Sequence, residues 1–314
     1  MLMLLDAASL YFRAFYGVKA PMPAPDGTPT NAVRGFLDMV STLITRFRPS
    51  DLVACVDQDW RPAWRVALLP SYKTHRLADQ HATAAGGAPP GEAEPPGLAE
   101  QVPIIFDALA VLGIAFLGAA EHEADDVIAT LAARATMPVD VVTGDRDLFQ
   151  VIDDDRNVRV LYTGRGVLKL EVMDAAAVMA RYGIAFWQYA DFATLRGDPS
   201  DGLPGVPGIG EKTAAGLLRT FGTLEELLDA AARADRRLLP VAAKLNRARD
   251  YLTKAPQVVR TVRTLPLPAI DTSLPQHPPD AEALAELDAR WGIGNAFGRA
   301  TKALSLLGPT GGRS

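Results

Sequence analysis

The sequence contains little cysteine, little histidine and no long apolar run. Its single cysteine, Cys55, excludes a disulfide framework and a cysteine-based zinc site. Its four histidines lack the spacing of metal ligands. No stretch approaches the roughly 20 apolar residues that span a bilayer. The apolar N-terminus follows no basic residue and ends at Asp6, too early for a signal-peptide core. These absences predict a reduced, cytoplasmic protein without a membrane partner.

The charge balance is mildly acidic. The chain has 314 residues, 48% of them hydrophobic, which is enough for one large domain or two ordinary ones. The net charge of -5 at first argues against a polyanionic partner. However, nine carboxylates fall in short motifs, and setting these nine negative charges aside leaves +4. The distribution of charge is therefore more informative than the total.

The first half alternates short apolar runs with segments of helical periodicity. This pattern is typical of buried strands in a mostly parallel sheet flanked by helices, an α/β class. The predicted strands are Leu2–Leu5, Leu52–Val56, Ile114–Leu117 and Val139–Val142. The predicted helices between them are Val33–Phe47, Leu98–Leu112 and Asp125–Ala135.

The second half is mainly helical, with joints rich in proline and glycine. We therefore predict two regions, an α/β core over 1–172 and a helical region over 173–314. An arch segment is expected near 70–112. Within it, Ala82–Gly97 consists mostly of Ala, Gly, Pro and Glu, which predicts a mobile segment that covers the site.

Acidic residues follow each of the four predicted strands. The carboxyl ends of strands in an open α/β sheet meet at the ligand crevice, so these acids should converge. Each motif alone also reads as an ordinary turn or helix cap. Together, hard oxygen donors without a cysteine or histidine cluster favour Mg²⁺ or Mn²⁺. Two such ions in one site can promote hydrolysis of a phosphodiester, because one activates a water and the other stabilises the leaving oxygen. The candidate ligands are Asp6, Asp57, Glu123, Asp125, Asp126, Asp145, Asp147, Asp198 and Asp201.

Two further motifs indicate binding to a nucleic-acid backbone. Lys73 and Arg76 are candidates for holding the scissile phosphate, and Tyr72 for stacking on an unpaired base. The second motif is a glycine-rich turn before a helix that should begin near Glu211, where free backbone N–H groups would face a phosphate. This pattern, near 198–220, resembles a helix–hairpin–helix that grips DNA without reading bases. Its candidate contacts are Gly205, Gly208, Gly210, Lys212 and Thr213.

Taken in order, these motifs resemble the 5′-nuclease family, which includes bacterial 5′-3′ exonucleases, flap endonucleases and the 5′-nuclease domain of bacterial DNA polymerase I. The resemblance extends from residue 1 to about 260. It is carried by Leu5-Asp6-Ala-Ala-Ser-Leu-Tyr-Phe-Arg13, Val56-Asp57, Tyr72-Lys73-Thr-His-Arg76, Glu123-Ala-Asp125-Asp126, Thr143-Gly-Asp145-Arg-Asp147 and Gly197-Asp198-Pro-Ser-Asp201, followed by the glycine-rich turn.

The resemblance implies a PIN-like nuclease core, a helical arch and a helix–three-turn–helix, in a stand-alone bacterial enzyme. It implies Mg²⁺- or Mn²⁺-dependent hydrolysis of DNA at 5′ flaps and 5′ ends, in primer removal and repair. Glu123, Asp125, Asp145 and Asp147 would be central ligands, with Arg13 contacting DNA. A potassium ion would bind the carbonyls of Val206 and Ile209. A monomer associated with the nucleoid is expected.

Three alternatives remain. A non-catalytic duplex-DNA-binding module would lack a central ligand, and none is missing. A phosphatase with an aspartate nucleophile usually carries a second acid after the first strand, which Asp6-Ala7-Ala8 lacks. A related nuclease acting mainly on RNA stays open, because contacts to the backbone do not report the sugar.

Overall fold

The computed structural model describes residues 1–18, 22–76, 95, 97–277 and 279–307. Within these ranges the strands are β1 (Leu2–Asp6), β2 (Asp51–Cys55), β3 (Ala115–Leu117), β4 (Val139–Thr143), β5 (Val158–Tyr162) and β6 (Glu171–Met173). They form one sheet in the order β3-β2-β1-β4-β5-β6. All neighbours are parallel except β5 and β6. The predicted α/β class with a mostly parallel sheet is therefore confirmed.

Thirteen helices of α type lie wholly within the described ranges, and a further helical stretch begins at 74–76. Those of the first half are α1 (Ala7–Gly17), α2 (Asn31–Phe47), α3 (Ala63–Leu68), α4 (Gln101–Val111) and α5 (Ala124–Arg134). Those of the second half are α6 (Ala175–Tyr182), α7 (Tyr189–Arg196), α8 (Glu211–Phe221), α9 (Leu224–Ala232), α10 (Ala242–Arg247), α11 (Arg249–Val259), α12 (Ala281–Trp291) and α13 (Gly294–Ser305).

The central strands are apolar throughout because helices cover both faces of the sheet. In β1, Leu2 and Leu4 belong to one hydrophobic core, while Met3 and Leu5 belong to the other. The first core contains apolar residues of α5, α7, α8, α10 and α11, and the second contains those of α1, α2, α4 and α13. The helical second half thus packs onto the sheet, and most of it shares one face.

Strands β5 and β6 were not predicted. β6 has only three residues and pairs antiparallel at the sheet edge, so its sequence carries almost no periodic signal. The four predicted strands and the three predicted helices lie where expected, within two or three residues at each end. The predicted cover over Ala82–Gly97 lies outside the described residues, apart from Pro95 and Gly97. Where the two regions meet remains a prediction. No described helix is both long and apolar enough to cross a bilayer.

Candidate active site

A cavity of about 880 Å³ opens at the carboxyl ends of the central strands. Asp6 ends β1, Asp57 follows β2 by two residues, and Asp145 follows β4 by two residues. The first turn of α5 adds Asp125, beside Glu123 at its N-cap. Parallel strands bring these positions together although they are far apart in sequence. The cavity is also lined by Arg13, Trp60, Lys73, Arg76, Phe106, Arg146, Tyr162 and Asp198.

Asp6 is fixed by two hydrogen bonds at the bottom of this cavity. Its Oδ1 accepts from the Ser9 N–H at 3.0 Å, and its Oδ2 accepts from the Thr143 hydroxyl at 2.7 Å. Burial raises the pKa of Asp6 to about 7, and repulsion by Asp57 and Asp145 adds to this effect. A carboxylate held this way lacks sufficient compensating positive charge in its ionised form.

Asp57 and Asp125 are also buried with too little positive charge around them to balance their ionised forms. Asp57 Oδ1 accepts from the Ala124 N–H at 2.6 Å, which ties the end of β2 to the start of α5. Burial raises the pKa of Asp57 against the opposing effect of Lys73. Burial, followed by repulsion from Asp145 and Asp6, holds the pKa of Asp125 well above its ordinary value.

A second acidic group lies next to the first, around Asp145. Asp145 Oδ1 accepts from the Asp147 N–H at 2.8 Å, and burial raises the pKa of Asp145 against this bond. Burial and the charges of Asp145 and Asp201 hold the pKa of Asp147 well above its ordinary value. Burial raises the pKa of Asp201 to about 6, against the opposing effect of Lys73. Asp198 Oδ1 accepts from the Ser200 N–H at 3.0 Å, and its Oδ2 accepts from Arg196 at 3.0 Å.

Glu123 differs from the aspartates because cations already surround it. Its Oε1 accepts from the Lys73 ammonium, and its Oε2 accepts from Arg65. The Tyr72 hydroxyl also donates to Oε2, at 2.7 Å. Burial alone would raise the pKa of Glu123, but Lys73 and Arg65 reverse this effect and the pKa is lowered.

Two predicted residues are buried beside the site. Tyr72 is only 4% exposed and its hydroxyl donates to Glu123, so its stacking on an unpaired base remains a prediction. Asp126 is fully buried, and its Oδ1 accepts from Arg65 at 2.7 Å and from the Val262 N–H at 2.8 Å. It lies outside the cavity lining, so a direct role as metal ligand remains a prediction.

Arg65 was missed by the sequence reasoning. It lies on the short helix α3, is 3% exposed, and bridges Glu123 and Asp126. A single arginine in the segment Ala63–Leu68 looks like an ordinary surface residue. Its spacing from the Tyr72-Lys73 motif is the one signal that could have suggested a link to the site.

Two cations at the cavity are paired with acids of the site. Arg76 Nη2 lies 3.1 Å from Asp201 Oδ1, and Lys73 pairs with Glu123, so each has a carboxylate partner. Lys73 has a left-handed backbone (φ 48°), which is uncommon for a residue with a side chain. Its N–H donates to the Asp201 carbonyl at 2.9 Å. The Tyr72–Arg76 segment is thereby attached to the 198–201 turn at the rim of the cavity.

The glycine-rich turn joins α7 to α8, and these two helices pack together as a hairpin. The turn is anchored inside by Val206 and Ile209, which are buried in the first core. The Val206 N–H donates to the Leu195 carbonyl at 2.9 Å, and the Ile209 N–H donates to the Val206 carbonyl at 2.9 Å. Lys212 and Thr213 are exposed on the first turn of α8. The predicted helix start at Glu211 is confirmed.

Carboxylate oxygens are the type of ligand that a hard divalent cation prefers. Asp126 Oδ2 and Asp147 Oδ1 are buried without a hydrogen-bond partner among the described residues. Burial and mutual repulsion raise the pKa values of the aspartates, and a bound cation would offset both effects. No three His, Cys, Asp or Glu side chains of the described ranges enclose an ion on their own. A divalent ion at this site would therefore need water molecules among its ligands.

A crevice of buried carboxylates beside a glycine-rich hairpin defines the class of metal-dependent nucleases. Residues 1–183 match the family model for the 5′-3′ exonuclease, N-terminal resolvase-like domain. Residues 184–282 match the model for the 5′-3′ exonuclease, C-terminal SAM fold. The chain therefore belongs to the 5′-3′ exonuclease family.

Individual relatives agree. A 5′-3′ exonuclease of Streptomyces coelicolor is 55% identical over 298 residues, which cover 95% of this chain and 98% of that protein. DNA polymerase I of Mycobacterium bovis is 43% identical over 232 residues, 73% of this chain. The match spans 24% of the polymerase.

Two solved structures share the fold. The T5 5′-exonuclease with bound divalent metal ions (zinc) has a TM-score of 0.65 at 17% identity, with 98% of both chains covered. The catalytic core of Rad2 in complex with DNA substrate has a TM-score of 0.55 at 14% identity. This match covers 98% of our chain and 92% of that one. At these identities the likeness shows the fold.

Proposed function

We propose that this protein is a structure-specific 5′ nuclease that uses Mg²⁺ or Mn²⁺ to hydrolyse DNA phosphodiesters at 5′ flaps and 5′ ends. Its role would be in primer removal and repair. One observation carries the proposal. Acids from three strand ends and a helix start share one cavity with Lys73 and Arg76. Hydrolysis of a phosphodiester needs an activated water and stabilisation of the charge that develops on phosphate oxygens.

The cavity lining contains two groups of aspartates. Asp6, Asp57 and Asp125 come from β1, the end of β2 and the start of α5, and Asp145 and Asp198 follow β4 and α7. Asp147 and Asp201 lie behind the second group, outside the lining. Divalent ions held by these carboxylates would supply the activated water and stabilise the leaving oxygen. Glu123 contributes by orienting Lys73, whose ammonium and the Arg76 guanidinium are placed to bind the scissile phosphate.

Duplex DNA would be held beside the cavity by the α7–α8 hairpin. The first N–H groups of α8 have no carbonyl partner within the helix and can face a phosphate. Gly210 at the N-cap has no side chain to block this approach. Lys212 and Thr213 would add a charged and a polar contact. Arg13, on the cavity wall, would contact the DNA near the cleaved bond. Such contacts grip the backbone and carry no base preference.

Cleavage of a labelled 5′ flap with Mg²⁺ tests the activity, beside blunt duplex, single strand and an RNA-primed substrate. Asp145→Asn should abolish cleavage while duplex binding is retained, since Lys212 and the start of α8 are not part of the cavity lining. Asp229→Asn, at an exposed position of α9, is the matched control and should cleave normally. Near-normal turnover of Asp145→Asn at saturating Mg²⁺ would contradict a shared metal site. Faster cleavage of RNA than DNA would favour the RNA-directed alternative.

A further inference from the structure

The glycine-rich turn is contacted by a lysine that lies 36 residues further along the chain. The Lys244 ammonium on α10 donates to the Gly208 carbonyl at 2.8 Å. Gly208 has φ 80°, a left-handed conformation that glycine adopts without steric cost. A Cβ atom at this position would lie 2.9 Å from the Lys244 Nζ, so a glycine allows the close approach.

Packing on both sides fixes the position of Lys244. Leu245, the next residue, is buried in the same core as Val206 and Ile209 of the turn. Val241 is also buried there, one helical turn before Leu245. Because both ends of the contact rest on one core, the backbone at Lys244 is held at a fixed position relative to the turn.

The Lys244 ammonium keeps hydrogen-bond donors that the contact with Gly208 does not use. A lysine ammonium has three donors and no acceptor, and one donor is used by the Gly208 carbonyl. The contact is exposed at the surface of the turn, next to the start of α8, where Lys212 is also exposed. A phosphate approaching the N-terminus of α8 would therefore meet a second cation that the turn's own sequence does not contain.

The surrounding sequence has the same sign of charge. Residues 233–254 contain seven basic and two acidic residues, although the whole chain has a net charge of -5. A local excess of positive charge attracts a polyanion even when the total is negative. The basic residues of this segment are Arg233, Arg236, Arg237, Lys244, Arg247, Arg249 and Lys254.

We propose that Lys244 is the built-in cation of the hairpin, binding the Gly208 carbonyl and a duplex phosphate at the same time. A consequence concerns potassium. A monovalent ion on the neighbouring Val206 and Ile209 carbonyls would be repelled by the ammonium. We therefore infer that duplex binding by this chain does not require K⁺. The inference rests on the proposed function, since it assumes that the hairpin holds duplex DNA.

Fluorescence anisotropy of a short blunt duplex in a chelating buffer measures binding without cleavage. Lys244→Ala should weaken binding about eightfold at about 0.1 M monovalent salt, and the log–log salt slope should be shallower by about 0.9. Lys244→Arg should retain most of the affinity, because its guanidinium can still donate to both partners. Replacing K⁺ by tetramethylammonium at constant ionic strength should leave wild-type binding unchanged.

Two reference variants separate the possible failures. Lys302→Ala removes an equal charge from an exposed site of α13, which packs on the other face of the sheet, and should bind normally. Lys212→Ala reports on the hairpin itself and should also reduce the salt slope. Weakened binding by Lys212→Ala but not by Lys244→Ala would overturn the role of Lys244 alone. Normal binding by both would instead show that the duplex binds elsewhere, which contradicts this part of the proposed function. Wild-type binding that depends on K⁺ would contradict the inference that the Lys244 ammonium makes a bound K⁺ unnecessary.

Discussion

Arg65 donates from its Nη2 to the Asp126 Oδ1 at 2.7 Å, and both side chains are buried. The other end of the same guanidinium binds Glu123. Glu123 is thereby neutralised from inside the protein, and its pKa is lowered. Asp126 shares this partner, yet burial still raises its pKa, as it raises those of Asp6, Asp57 and Asp125. The protein itself balances the charge of Glu123, whereas the aspartates keep raised pKa values that a metal ion would lower.

Removing Arg65 should therefore destabilise the fold strongly. Arg65→Met leaves the buried Asp126 without its cation and Glu123 with Lys73 alone, and breaking a buried pair of this kind typically costs about 3–5 kcal/mol. Urea unfolding followed by circular dichroism measures the change in the free energy of unfolding. Arg299→Met is the control, because Arg299 pairs with Asp38 at the surface, where the cost should stay below about 1 kcal/mol. Similar losses in both variants would show that Arg65 does not stabilise the site.

Lys73 is expected to act on chemistry more than on binding. Its ammonium is held at the cavity by Glu123, so Lys73→Ala removes a positive charge near the scissile phosphate. Loss of such transition-state stabilisation should lower the single-turnover cleavage rate by roughly 10²-fold, with a much smaller effect on flap affinity. Rapid-quench kinetics and anisotropy measure the two quantities. The exposed Lys169→Ala serves as control.

A purely structural role for Lys73 predicts a different pattern. In that case the variant would lose stability, since Glu123 loses one of its cations, while the rate of correctly folded enzyme stays normal. Unfolding measurements on Lys73→Ala, made beside the kinetics, distinguish the two patterns. A normal single-turnover rate with weakened binding would place Lys73 in substrate affinity and contradict the catalytic role.

The glycines of the hairpin should differ sharply in their tolerance of a side chain. Gly205 has φ 64°, and an added Cβ would lie 2.5 Å from the Arg196 carbonyl oxygen and from the Gly197 nitrogen. Gly205→Ala should therefore cost several kcal/mol, from left-handed strain and overpacking together. An added Cβ at Gly210 meets no described atom within 4 Å.

Gly210→Ala is consequently the matched control. It should leave the free energy of unfolding within about 0.5 kcal/mol of wild type. If the α8 N-terminus contacts DNA closely, the same variant should still weaken duplex binding. Thermal unfolding of both variants checks the first expectation and anisotropy the second. Equal stability of the two variants would contradict the close approach of Gly205 to the end of α7.

The sequence predicted the site better than the interactions inside it. Asp6, Asp57 and Asp145 could be placed together because strand ends in a parallel sheet share one edge. The burial of Tyr72 could not be foreseen, because a tyrosine between Ser71 and Lys73 gives no sign of which side faces the interior. Arg65 and Lys244 were missed for a related reason. Each acts on a partner that is 36 or more residues away, and only the packed fold brings them together.

The buried aspartates should make the stability of the metal-free protein depend on pH. Asp6 has a pKa of about 7 and Asp201 of about 6, both above the ordinary value of 3.8. Between pH 4 and 7 the folded state therefore binds more protons than the unfolded state. Its free energy of unfolding should therefore fall as the pH rises through this window. Unfolding in a chelator, at a series of pH values, measures the effect.

Divalent metal should remove this dependence. Metal ions bind ionised carboxylates, so Mg²⁺ should raise the melting temperature more at pH 8 than at pH 5. Asp6→Asn cannot ionise and should flatten the pH dependence of the metal-free protein between pH 5 and 7. Asp229→Asn, at its exposed position, should leave the dependence as in wild type. Stability that rises with pH in the chelator would mean that the aspartates already have sufficient positive charge around them, and the assignment of this cavity to a metal ion would then fail.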